Sequence, residues 1–132
     1  MVLDSFALLA YFQDEPGAGR VEEVLRQASD GELELCITVV NVGEVIYNIE
    51  NRHNRRAATE CLTKILEWPI ELVDVDSDLA LSAAAVKMET RMGHLDCFVV
   101  ALAQKLDATI VTGDPDFKRV EDRVAIEWLS QA

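Results

Sequence analysis

The sequence predicts a single α/β domain in which helices cover a parallel sheet. Three observations support this fold class. The 132 residues fit one domain of common size, spanning 1–132. Half of them are hydrophobic, enough for one ordinary core without metal or disulfide staples. Short β-like apolar runs alternate with helix-periodic segments, the pattern of an α/β architecture.

The elements follow in order. Met1 to Leu3 reads as a short buried strand. Ser5 to Phe12 turns helical, and Pro16-Gly17-Ala18-Gly19 breaks it. Arg20 to Ala28 is helical, with Val21, Val24 and Leu25 on one face, and Asp30-Gly31 ends it. Leu33 to Ile37 is the second strand. Val42, Val45, Ile46 and Ile49 then repeat at the spacing of a buried helical stripe. His53-Asn54 interrupts, and a further helix runs to about Glu67, stopped before Pro69. Ile70 to Val75 is the third strand, and Asp76 or Ser77 can cap the helix after it. Leu81, Ala85, Met88 and Met92 repeat at helical spacing along that helix. After Gly93, the residues Leu95, Phe98, Val99, Leu102 and Leu106 form another stripe. Ala108 to Thr112 is strand four, 113–116 a turn, and Val124 to Trp128 strand five. Five strands separated by helices imply a parallel, doubly wound sheet, because parallel neighbours need crossover connections.

Twenty-four acidic against twelve basic residues give a net charge of −12. Such a surface does not attract a polyanion, so nucleic-acid binding has to rest on local charge and metal. A basic partner is equally compatible. Cys36, Cys61 and Cys97 are scattered and odd in number, and read as core residues of a reduced protein rather than a disulfide or zinc set. No secretory leader or membrane-spanning stretch is read in the sequence, which sets the expectation of a cytoplasmic location.

Four carboxylates are placed for chemistry. Asp4 and Asp114 each follow a strand end, where open α/β sheets bind ligands. Alone, Asp4 reads as a helix cap and Asp114 as a turn residue; together they point to a site. Glu44 lies opposite the Val42/Val45 stripe, beside Asn41, Tyr47 and Asn48, either on a solvated face or lining a cleft. Asp96 falls in the first turn of its helix, where the dipole stabilises an anion whatever its role. Asp116 either caps a short turn or serves as an outer ligand. Asp74 and Asp76 read as helix-entry residues, and Ser5 and Thr112 as hydroxyls able to orient the neighbouring acids. His94 and the basic run Arg52, His53, Arg55 and Arg56 read as surface features or phosphate contacts.

Val2-Leu3-Asp4-Ser5, Asn41-Val42-Gly43-Glu44-Val45, the run from Leu95-Asp96-Cys97 to Ala103, and Val111-Thr112-Gly113-Asp114-Pro115-Asp116-Phe117 together resemble the PIN domain. More narrowly they resemble the VapC ribonuclease toxins of prokaryotic toxin–antitoxin pairs. The resemblance covers essentially the whole chain. It implies a five-stranded parallel sheet of order 3-2-1-4-5, flanked by helices. It implies that Asp4, Glu44, Asp96 and Asp114 form the acidic catalytic quartet, with Asp116 an accessory metal ligand and Thr112 a hydroxyl the family often keeps. It places strand three at an edge, which removes Asp74 and Asp76 from the cleft. All-oxygen ligands suit Mg²⁺ or Mn²⁺. The implied activity is metal-dependent hydrolysis of RNA, with Arg52 to Arg56 and Lys118, Arg119 and Arg123 available to grip phosphates. The implied partners are an RNA substrate, a second copy in a homodimer and a cognate VapB-like antitoxin. Phe6 and Cys97 depart from a hydroxyl and an alanine common in relatives. The alternatives are a housekeeping nuclease, a non-catalytic binding module or, on a different site, a phospho-receiver domain.

Overall fold

The computed structural model describes residues 1–130, so 131 and 132 lie outside the described residues. Five strands form one sheet: β1 (Val2–Leu3), β2 (Cys36–Thr38), β3 (Glu71–Val73), β4 (Ile110–Thr112) and β5 (Ile126–Trp128). All pairs are parallel and the order is β3-β2-β1-β4-β5, as expected. Successive strand side chains point to opposite faces. Val2, Cys36 and Ile110 therefore enter one core, and their neighbours Leu3, Ile37 and Val111 enter another. Both faces of the sheet are covered, which is why β1, β2 and β4 are buried at every residue, while the edge strands β3 and β5 carry Glu71 and Glu127.

The helices are α1 (Ser5–Phe12), α2 (Ala18–Ser29), α3 (Val39–Arg52), α4 (Arg55–Glu67), α5 (Ser77–Thr90) and α6 (His94–Leu106). Helices α1 to α4 build the Leu3 face, and α5 and α6 the Val2 face. Four starts carry a side-chain cap, from Asp4, Thr38, Asn54 and Asp76, each accepting a backbone N–H of the first turn. Every residue of α6 from Cys97 to Ala103 is buried, as expected of a helix that is apolar all round.

Several expected boundaries shift. Helix α2 already starts at Ala18, because the turn is made by Gly17 alone, at φ +97°. Strand β2 covers only Cys36–Thr38; Leu33 and Leu35 pack into the core ahead of it, and the Leu35 carbonyl accepts the Glu71 N–H at 2.9 Å. The turn after β4 tightens into a 3₁₀ helix over Pro115–Val120. Of the apolar repeat Leu81, Ala85, Met88 and Met92, only Met92, just beyond α5, is buried; within the helix Leu79, Ala83 and Val86 are buried, whereas Leu81 and Met88 are 70% and 77% exposed. This helix is apolar on two opposite faces, so periodicity alone offered two solutions and the sheet accepted the other one. Leu106, at the end of the α6 stripe, is also exposed.

Gly17 supports a testable expectation. A Cβ there would lie 3.1 Å from Leu129 Cβ, in a backbone conformation that side chains disfavour. Gly17→Ala is expected to destabilise the fold by about 1–3 kcal/mol, read as a drop in the denaturation midpoint. An unchanged midpoint would show that β5 and α2 are not held this closely. The same junction is fastened by Arg20, whose guanidinium donates to both carboxylate oxygens of Glu127 at 2.6 and 2.9 Å.

Candidate metal centre

The register brings the site together. Val2 pairs with Ile110 and Leu3 with Val111, so Asp4 and Thr112 follow side by side. Beyond β1 the sheet grows one way through β2 and β3, and β4 returns on its other side. This is the switch point where a cleft opens beyond the strand ends.

Asp4 is 1% exposed. Its Oδ1 accepts the Ala7 N–H at 2.9 Å, and its Oδ2 accepts the Thr112 hydroxyl. Thr112 Oγ1 in turn accepts the Asp114 N–H at 3.0 Å. One hydroxyl thus links the acids after β1 and β4. Asp114 Oδ1 accepts the Asp116 N–H at 2.9 Å and opens the 3₁₀ helix. Asp96 sits half-buried in the first turn of α6. Glu44 is half-buried on α3, with its Oε1 accepting the Ser5 hydroxyl. Glu44 is thus only partly solvated and faces α1, while Tyr47 is the exposed aromatic of α3.

Asp96, Asp114 and Asp116 each offer a carboxylate oxygen within 4.8 Å of the other two. Asp4 and Glu44 stand outside this trio but inside its field. Burial pushes the Asp4 carboxyl up to about 7, against the hydrogen bonds from Thr112 and Ala7, and Asp96 and Asp114 add repulsion. Burial also pushes Asp96 up to about 7, reinforced by Asp114, Glu44 and Asp116. Among the described residues, none of the five acids forms an ion pair with a lysine, arginine or histidine. Such a cluster is held against its own repulsion by protons or by a cation. With oxygen as the only donor type, the donor set fits a hard divalent ion.

The sequence profile of the PIN domain matches residues 1–123. The chain belongs to the PIN domain family. No curated protein matches it by sequence. Its fold is shared with solved VapBC and VapC structures. VapBC2 from Rickettsia felis, bound to a promoter DNA fragment, superposes at a TM-score of 0.78 with 17% identity, covering 98% of each chain. DNA-bound VapBC from Salmonella typhimurium gives 0.76 and 20%, covering 96% of this chain and 95% of that one. VapC20 from Mycobacterium tuberculosis, described as a sarcin–ricin loop cleaving toxin, gives 0.74 and 15%, covering 99% and 97%.

The remaining polar residues of this PIN domain fall outside the acid cluster. Asp76 caps α5 through the Leu79 N–H at 2.8 Å, beside the edge strand β3. His94 is exposed, with its ring edge-on to Phe98. Arg52 is tied to Gln13, Arg55 to Glu50 and Arg56 to Glu60. Arg119 donates to the Thr90 carbonyl at 3.2 Å and Arg123 to Glu89 at 2.5 Å. The sequence placed Asn41 beside Glu44 without giving it a role; it is fully buried between α3 and α6. The local signal for that burial is an asparagine three residues after a threonine at a helix start.

Proposed function

We propose that this chain is a metal-dependent ribonuclease and the toxin of a toxin–antitoxin pair. The observation that carries the reading is the convergence of Asp96, Asp114 and Asp116, with Asp4 and Glu44 acting on them and, among the described residues, no ion pair to a basic side chain. PIN domains are nucleases, which supports the reading. Asp96, Asp114 and Asp116 would hold the ion directly, and Asp4 would anchor the floor of the site. When bound, a Mg²⁺ or Mn²⁺ ion offsets the carboxylate repulsion and stabilises charge developing on a phosphodiester. Glu44, oriented by the Ser5 hydroxyl, is the group we assign to take a proton from attacking water. Lys118 and Arg119, exposed on the 3₁₀ helix that Asp114 caps, would grip backbone phosphates. Their ionic contacts make cleavage salt-sensitive.

Structured RNA is the substrate class we assign, since one structural neighbour is described as cleaving the sarcin–ricin loop. A panel of structured RNAs, incubated with Mn²⁺, Mg²⁺ or chelator, tests this. Cleavage is expected with either ion, leaving 5′-phosphate ends, and none with chelator. Equal cleavage in chelator would reject the metal reading. We assign the protein to the cytoplasm; no helix of the described residues is long and apolar enough to cross a membrane.

Two partners belong to the same proposal. The neighbours are VapBC complexes, and a basic antitoxin segment complements an acidic cleft. A second copy would cover the outer face of α5, where Leu81, Ala84, Ala85 and Met88 form an exposed apolar stripe at helical spacing. The double variant Leu81→Glu/Met88→Glu is expected to run as a monomer in light scattering while wild type runs as a dimer. Its unfolding midpoint measured as a monomer should change little, because both side chains are exposed. A variant that remains dimeric would place the interface elsewhere.

A further inference from the structure

The start of α3 carries a capping arrangement with an unusual output. Thr38 is the N-cap, and its Oγ1 accepts the Asn41 N–H at 3.2 Å. In the common capping box, a Glu or Gln at the Asn41 position reaches back to the cap's own backbone N–H. Here the Thr38 hydroxyl donates instead to Asn41 Oδ1. That contact fixes the orientation of the amide, because only the oxygen can accept. The Asn41 NH₂ then faces away from its own helix and donates to the Leu95 carbonyl at 3.3 Å. Leu95 immediately precedes Asp96, and Glu44 lies one turn beyond Asn41 on the same side of α3. Asn41 is 0% exposed, as is Thr38, so this link is shielded from water.

We infer that Asn41 is a positioning residue for the acid site: a buried strut, set by Thr38, that fixes the first turn of α6 and hence Asp96 against the Glu44-bearing helix. The chemistry requires this residue type. Leucine fills similar space but donates nothing, aspartate lacks the donor, and glutamine is one methylene too long for the 3.3 Å contact. The inference rests on the proposed metal site, and adds a residue that holds it without touching the ion. Outer residues that orient metal ligands change metal affinity by about 10–100-fold when removed.

The test uses Asn41→Ala and Asn41→Leu beside a control, Val24→Ala, a buried truncation in α2 away from the acids. Two readouts are taken on folded protein. Mn²⁺ affinity, measured from the free-ion electron paramagnetic resonance signal, is expected to fall 10- to 100-fold in both Asn41 variants and less than twofold in the control. Amide hydrogen exchange of the metal-free protein is expected to speed up at least tenfold at residues 95–99 relative to α4 in the Asn41 variants alone. A Thr38→Val change is expected to give part of both effects, since it frees the amide without removing it. Normal Mn²⁺ binding by wild type with unchanged affinity in the Asn41 variants would overturn the strut. So would exchange that rises no more at 95–99 than elsewhere. A wild type that binds no Mn²⁺ would overturn the metal-site reading itself, and with it the strut's purpose.

Discussion

Asp96→Asn is expected to abolish Mn²⁺-dependent RNA cleavage, by at least about 10²–10³-fold, the scale of losing one key electrostatic group in an active site. Three other acids act on Asp96: Asp114, Glu44 and Asp116. An asparagine keeps the shape and the helix start but removes the charge that a cation would bind. Asp4→Asn is expected to lose activity as well, since Asp4 is joined through Thr112 to the Asp114 backbone. Both variants should fold, judged by circular dichroism, because each removes repulsion rather than an ion pair. Initial rates on a cleaved RNA, at saturating Mn²⁺, are the measurement. Wild-type rates in folded Asp96→Asn would place the chemistry at another site.

The second large effect is on stability, and its sign is opposite to that of ordinary acid denaturation. Asp4 and Asp96 are raised from 3.8 to about 7 in the metal-free fold. Between those values the folded state holds protons that the unfolded chain has released. The stabilisation is therefore fully present below about 3.8, and is lost as pH rises through about 7. Unperturbed carboxylates have titrated by about pH 5.5. From there to pH 8, metal-free protein is expected to lose on the order of 2–4 kcal/mol, or roughly 5–15 °C in melting temperature. Mn²⁺ should restore most of that at pH 8 and little at pH 5.5, where protons already neutralise the cluster. Calorimetry at the two pH values, with and without Mn²⁺, reads both effects. A metal-free melting temperature that climbs from pH 5.5 to 8 would contradict the buried, uncompensated acids.

The order of the elements was readable because each rests on local chemistry. Asp76 caps α5, α1 runs from Ser5 to Phe12, and α3 buries Val42, Val45 and Ile49, all as their spacing and cap residues require. Where local chemistry was ambiguous, the reading failed. Helix α5 offered Leu79/Ala83/Val86 and Leu81/Ala85/Met88 as equally good stripes, and only contact with the sheet chose between them. The Pro16 to Gly19 run looked like one long break because the sequence does not reveal that Gly17 alone carries the left-handed turn.

For the candidate site, the sequence by itself determined which acids were available and that two of them followed strands. The resemblance of their flanking segments supplied the grouping, because residues 4, 44, 96 and 114 are too far apart for periodicity to relate. Only the tertiary structure decided that Asp116 joins Asp96 and Asp114 within 4.8 Å, that Glu44 turns to Ser5 rather than to water, and that Asn41 ties α3 to α6. The physical reason is the range of the forces. Helix capping and strand burial act over a few residues and leave their mark in the local pattern. Carboxylate repulsion and a shared carbonyl act through space, across contacts that exist only once the sheet has closed.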